Sequence, residues 1–231
     1  MNKTKQQESR RNFLKSVSLV AIALPLTPLG ISSLIGCAKS SVGAGKSDDV
    51  LKTILANANP SSACSWCGAK DAPQNVSWRT ELAKKDDEGG PLIISGTVFQ
   101  TDGKTPAPNI LIYVYHTDIY GIYGRQGEHR HGRYRGWMLT DGKGRYEFRT
   151  IKPASYPNTT IAAHIHMTLT GKNFKEDWVD SILFEGDKFL SEGEQNRAGK
   201  KGGFNPILKL EKGKDGVSRG IRDIQLWEGA K

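Results

Sequence analysis

The apolar residues of this chain come in short runs, and that constrains the fold more than any other feature. Runs at 92–100, 110–116, 145–151, 161–170, 181–185, 207–211 and 221–227 are separated by polar segments and turns such as Thr101-Asp102-Gly103 and Asp141-Gly142. They are short and bounded by turn residues, and no helical period runs long enough for a bundle. Seven or so short strands in about 140 residues predict an all-β fold, a β-sandwich.

One run carries a pattern with chemistry in it. In residues 160–170, TIAAHIHMTLT, strand alternation puts His164 and His166 on one face and Ile161, Ala163, Ile165 and Met167 on the other. Two such imidazoles can share one metal ion, or they can be ordinary half-buried histidines of a sandwich. All five histidines fall between His116 and His166, an interval that also holds Tyr120, Tyr123, Tyr134, Tyr146 and Tyr156. Phenolate and imidazole together suit ferric iron better than a thiophilic metal.

Residues 136–157, GWMLTDGKGRYEFRTIKPASYP, followed by AAHIH and later by FEGD at 184–187, resemble the signature of the intradiol ring-cleavage dioxygenases, the protocatechuate and catechol dioxygenase family. The matching residues are Leu139, Thr140, Asp141 and Gly144 of a turn, then Tyr146, Phe148, Arg149, Thr150, Ile151, Lys152, Pro153, Tyr156 and Pro157. The likeness covers roughly residues 91–187. It implies a β-sandwich and a non-haem Fe(III) held by two tyrosines and two histidines. It also implies a small aromatic vicinal diol and dioxygen as substrates, with cleavage between the two oxygen-bearing carbons. Tyr156, His164 and His166 become three of the ligands, Tyr156 being the labile one that acts as general base when released. Aligning Tyr115 with the aromatic of the family's preceding strand puts Tyr123 on the fourth ligand position. Tyr134 and Tyr120 are the alternatives, and are otherwise rim aromatics of a pocket.

Two positions depart from the family. Its arginine three residues before the first histidine is Ile161 here, and its glutamine ahead of F-E-G-D is Ser181. Partners of metal ligands typically matter by about 10–100-fold in affinity or activity. A non-catalytic iron- or catecholate-binding protein is therefore the second reading, and a carbohydrate- or partner-binding module with an empty site the third. Arg149 is the weak substitute for the missing arginine and is otherwise structural. The helical dimerisation segment of the catechol-type enzymes has no counterpart here, and the oligomeric state stays open.

The N-terminus reads as an address. Ser9-Arg10-Arg11-Asn12-Phe13-Leu14-Lys15 resembles a twin-arginine export signal, and the apolar stretch 16–36 leads into Leu34-Ile35-Gly36-Cys37, like a bacterial lipobox. An uncleaved membrane anchor is the rival, because the stretch approaches spanning length. Pro25, Pro28 and the small residues before Cys37 favour cleavage and lipidation. The expected organisation is a signal at 1–36, a flexible tether at 37–48, a helical or irregular lead-in at 49–90 and the sandwich at 91–231. The expected location is the periplasmic side of the cell envelope, with the membrane reached through lipid on Cys37.

Removing the signal takes the formal charge from +9 to +5, since it holds five of the basic residues and one acidic one. What remains is spread out, without the basic stripe or recognisable module of a nucleic-acid binder. Only residues 125–135, RQGEHRHGRYR, concentrate positive charge, as a pocket mouth able to attract a carboxylated substrate. Cys64 and Cys67 lie in a linker context rather than at the strand-to-helix junction of a thioredoxin-like site, and no second ligand pair completes a zinc site. In an oxidising compartment a local disulfide is the default.

Overall fold

The computed structural model describes residues 44–60, 62–124, 128–197 and 199–228. The export signal, the lipobox and Cys37 lie outside the described residues, as does Arg125. The short apolar runs become strands of two sheets. In the first, β1 (Arg79–Glu81), β5 (Arg145–Ile151), β2 (Pro91–Phe99), β10 (Ser218–Ile221) and β9 (Glu211–Lys212) lie in that order, with β11 (Ile224–Gln225) also paired to β2. In the second the order is β4 (Arg135–Leu139), β3 (Leu111–Tyr115), β6 (His164–Gly171), β7 (Phe174–Phe184) and β8 (Ile207–Leu208). Leu92, Ile94 and Phe148 of the first sheet share one buried cluster with Ile112, Val114, Ile165 and Met167 of the second. Each such side chain contributes roughly 1.5–3 kcal/mol by leaving water, which is what holds the sandwich closed.

The structure moves several expected boundaries. Helix α1 (Ala44–Asn57) begins inside the stretch expected to be a tether, and its Leu51 and Ile54 pack on Ala69 and Leu111. Strand β1, from the expected lead-in, runs parallel to β5, so the sheet recruits residues ahead of position 91. Strand β4 was hidden in the sequence by Gly136, which a strand normally avoids; here a Cβ at that position would collide with Leu82. A second short helix, α2 (Glu192–Arg197), separates β7 from β8. Among the described residues no helix is long and apolar enough to cross a membrane.

The most consequential shift is at β6. It starts at His164, and residues 160–163 are outside any strand. The alternation of His164, Ile165, His166 and Met167 holds, with the histidines partly exposed and the two apolar residues buried. Ile161, expected on the opposite face, escapes the alternation and lines the cavity on the histidines' side. Opposite His166 the β6–β7 register slips, so that Asp180 and Ser181 of β7 face a single residue of β6. A bulge of this kind bends the strand and re-aims its side chains.

Candidate functional site

Tyr123 reaches the histidines because its loop is laced to the segment carrying Tyr156. The Asp118 carboxylate accepts from the backbone N–H of Tyr120 at 2.8 Å and of Ile122 at 2.9 Å. Thr117 Oγ1 donates to the Ala154 carbonyl at 2.8 Å. Gly121 and Gly132 both have positive φ, +77° and +66°. A Cβ at the first would strike the Ser155 carbonyl and one at the second the Tyr123 carbonyl, so only glycine lets these backbones approach.

The result is a cluster of four donor atoms. Tyr156 Oη lies 2.6 Å from Tyr123 Oη, 3.1 Å from His164 Nε2 and 3.3 Å from His166 Nε2, and the two Nε2 atoms are 3.0 Å apart. His164 Nδ1–H donates to the Ala162 carbonyl at 2.7 Å, which leaves Nε2 as a bare lone pair. His166 Nδ1 meets Ser181 Oγ at 3.2 Å. Those four contacts share at most three protons, and two imidazole nitrogens face each other. A cation repairs that deficit. Metal–ligand bonds of about 2.0–2.1 Å at angles near 90–110° set neighbouring donors about 2.8–3.4 Å apart, close to the spacings seen. The second ring nitrogen of each histidine is tied to a protein oxygen, the arrangement that orients metal-bound imidazoles. The donor set therefore fits a ferric ion. Among the described residues no group of three or more His, Cys, Asp or Glu side chains forms a metal site, and the candidate donor set here is two tyrosines and two histidines.

Burial sets the protonation of the metal-free cluster. Burial, then the hydrogen bond to Tyr156, push the Tyr123 phenol well above its ordinary range, and burial also raises Tyr156. Burial and the surrounding imidazoles pull His166 down to about 3. The bare protein holds neutral phenols and a neutral His166. A bound cation inverts this logic for the phenols by stabilising their anions.

The other candidates are structural. Tyr134 is 2% exposed, no rim residue at all: it packs with Ala83 and Ile151 and stacks on His116 at 5.2 Å. Tyr120 is 62% exposed and its hydroxyl donates to Glu88 at 3.0 Å. Arg149 pairs with Glu81 at 3.7 Å on the first sheet and lines neither of the two cavities beside the histidines. His131 stacks on Tyr115 at 3.8 Å, and Tyr115 stacks on His166 at 4.7 Å, so His131 lies one ring behind the site.

The surroundings differ from the expected cationic mouth. Arg130 donates to the carbonyls of Cys64 and Cys67 at 2.9 Å, Arg133 pairs with Asp87 at 2.9 Å, and Arg135 donates to the Gly132 carbonyl. A cavity of about 330 Å³ beside His164 and His166 is lined by Ile161, Leu183 and Pro206, with Asp180 and Glu194 as its charged residues. Among the described residues no lysine or arginine lines it.

Cys64 and Cys67 are disulfide-bonded, with Cα atoms 5.2 Å apart. Their loop is no remote linker. The Ser65 carbonyl accepts from His131 Nε2–H at 2.8 Å, and Ser65 and Trp66 line a second cavity together with His166. Sequence reasoning missed this wall because nothing local ties residue 66 to residue 166.

Known proteins resemble this chain over the same region. A family model described as dioxygenase matches residues 69–202, more than half of the chain. Catechol 1,2-dioxygenase of Acinetobacter baylyi is 36% identical over 88 residues, covering 37% of this chain and 28% of the relative. The protocatechuate 3,4-dioxygenase beta chain of Burkholderia cepacia is 32% identical over 125 residues, covering 48% of this chain and 53% of the relative. The matched stretches thus span about half or less of these relatives' length. The dioxygenase domain of a dioxygenase carbohydrate-binding protein fusion from Streptomyces sp. SirexAA-E superposes with a TM-score of 0.50 at 25% identity, over 66% of this chain and 89% of that one. Catechol 1,2-dioxygenase from Acinetobacter sp. ADP1, inhibited by bound mercury, superposes with a TM-score of 0.52 at 21% identity, over 67% and 59% of the two chains, a likeness of fold.

Proposed function

This chain belongs to the intradiol ring-cleavage dioxygenase family, and on that premise we propose that it holds Fe(III) through Tyr123, Tyr156, His164 and His166 and cleaves an aromatic vicinal diol with dioxygen. The observation that carries the reading is the convergence of the Tyr123 phenol oxygen and two imidazole nitrogens within 3.3 Å of the Tyr156 hydroxyl. Bound ferric iron would supply a Lewis-acidic, redox-active centre for the diol oxygens. The chain's own residues do the rest. Tyr156 sits at the middle of the cluster and is partly exposed, so it is the residue we assign to give way to the diol. Burial raises the proton affinity of its phenol, and its freed Oη then takes a proton from the incoming diol. The Ala162 carbonyl and Ser181 Oγ hold the two imidazoles against rotation. Ile161, Leu183 and Pro206 offer an apolar wall to the ring.

Iron-loaded full-length protein should consume one dioxygen per catechol and release a muconate-type diacid. An extradiol product overturns the mechanism. No uptake by iron-replete protein, across a panel of vicinal diols, hands the case to the second reading, an iron- or catecholate-binding protein without turnover. Ile161 in place of the family's arginine favours that second reading, because among the described residues no lysine or arginine lines the cavity beside the histidines to support charge on the ring. We also propose export by the twin-arginine route and anchoring through lipid on Cys37, on the strength of the L-I-G-C sequence. The mass of membrane-extracted protein tests it, and an unmodified Cys37 still joined to Gly36 counts against it.

A further inference from the structure

The second cavity, about 450 Å³, opens beside His166 and is lined by Ser65, Trp66, Tyr115, Trp178 and Ser181 among others. It shares His166, Trp178 and Ser181 with the cavity that holds His164 and Ile161, so the two spaces meet at a candidate ligand. Among the described residues no charged side chain lines the second cavity, whereas Asp180 and Glu194 line the first. Its volume is several times the roughly 150 Å³ that accommodates a benzene ring.

Two tryptophans dominate its surface. Trp66 is 45% exposed and Trp178 44% exposed, an unusual state for side chains this large. Both are held in place. Trp66 sits inside the disulfide loop, with Arg130 bonded to the carbonyls of Cys64 and Cys67 and His131 bonded to that of Ser65. Beside Trp178, the Lys201 ammonium lies 4.4 Å from the ring centroid and is itself fixed by Asp177 at 2.6 Å. Exposed indoles on anchored backbone, next to the four-donor cluster and in a cavity with no charged side chain among its described lining residues, make a surface for an uncharged aromatic ring.

We propose that Trp66 and Trp178 form an aryl subsite, and that the preferred substrates are catechols bearing a second, uncharged aromatic ring. The diol ring lies at Tyr156 and His166 while the second ring enters the tryptophan-lined cavity. This rests on the reading that a diol binds at the four-donor cluster. Burying the extra ring against aromatic faces should raise affinity on the order of tenfold or more over catechol.

Calorimetric titration of the full-length protein tests it, under anaerobic conditions so that nothing is consumed. The probes are catechol, biphenyl-3,4-diol and biphenyl-4-ol, which lacks the vicinal diol. The expected result is at least tenfold tighter binding of biphenyl-3,4-diol than of catechol. Trp66→Ala and Trp178→Ala should each remove most of that advantage, and Trp66→Phe should keep much of it. Equal affinity for the two diols, or an advantage that survives both alanine substitutions, overturns the proposal. Biphenyl-4-ol separates the subsite from the dioxygenase reading. If it binds and both alanine variants weaken it while no diol is ever cleaved, the subsite stands and the enzymatic reading falls. If diols are cleaved but the second ring adds no affinity, the reverse holds.

Discussion

Two pairs of histidines, all within one stretch of chain, end in opposite states. His116 is fully buried, with Nδ1 bonded to the Thr117 carbonyl at 2.7 Å and Nε2 to Thr150 Oγ1 at 2.6 Å. His131 is closed in the same way, Nδ1 taking the Tyr113 hydroxyl at 2.7 Å and Nε2–H donating to the Ser65 carbonyl. His164 and His166 each satisfy one ring nitrogen with the protein and turn the other on a shared point. The difference teaches that a ligand histidine is recognised by where its second ring nitrogen turns: into a shared cluster of donor atoms with more contacts than protons to fill them, which a cation would complete.

Breaking the open pair should have the largest effect. His164→Ala and His166→Ala are expected to bring bound iron below a tenth of the wild-type content, by metal analysis after loading, with an unchanged circular dichroism spectrum. Iron retained at full stoichiometry in both variants would collapse the distinction between the pairs. Next comes the choice of tyrosine. Tyr123→Phe should bleach or strongly shift the visible colour of the loaded protein, while Tyr134→Phe should leave the band where it is, because Tyr134 is buried against His116. The reverse pattern would move the ligand to Tyr134.

The closed pair should answer to pH, as His166 also does in the metal-free protein, and not to iron. Burial, above all, holds His116 and His131 down to about 4, below the ordinary imidazole value. A depressed folded-state value means that the unfolded chain takes up the proton first. Stability is then fully present above about pH 6.5 and is lost as pH falls toward 4. The urea midpoint of the metal-free protein should be level at neutral pH and decline through that window. His116→Ala should cost about 2–4 kcal/mol at neutral pH, from two lost buried hydrogen bonds and a cavity, and should leave iron content intact. A midpoint that stays flat down to pH 4.5 would contradict the assignment of this pair.

Much of this was legible in the sequence for identifiable reasons. Alternation alone separated His164 and His166 from Ile165 and Met167, and turn residues marked the ends of β2, β3 and β5. Tyr123 was reached only through the resemblance, by aligning Tyr115 with the aromatic of the family's preceding strand; the structure pairs Tyr115 with His166. What escaped depended on distant contacts. Gly136 reads as a strand breaker until Leu82 is seen above it. Ile161 reads as a strand residue until β6 is seen to begin three positions later. The arginines of 130–135 read as a field at a pocket mouth until their carbonyl and carboxylate partners are in view. Trp66 and Trp178 lie on separate elements, and only the packing of the disulfide loop brings them to one cavity.

The proposed site requires Tyr123, Tyr156, His164 and His166 to hold one ferric ion. Titrating Fe(III) into the metal-free protein, while recording resonance Raman spectra in the visible band, tests this directly. The predicted result is saturation at one iron per chain, with phenolate vibrations enhanced in the wild type and altered in Tyr123→Phe. A protein that stays colourless with iron yet takes up zinc stoichiometrically would contradict it.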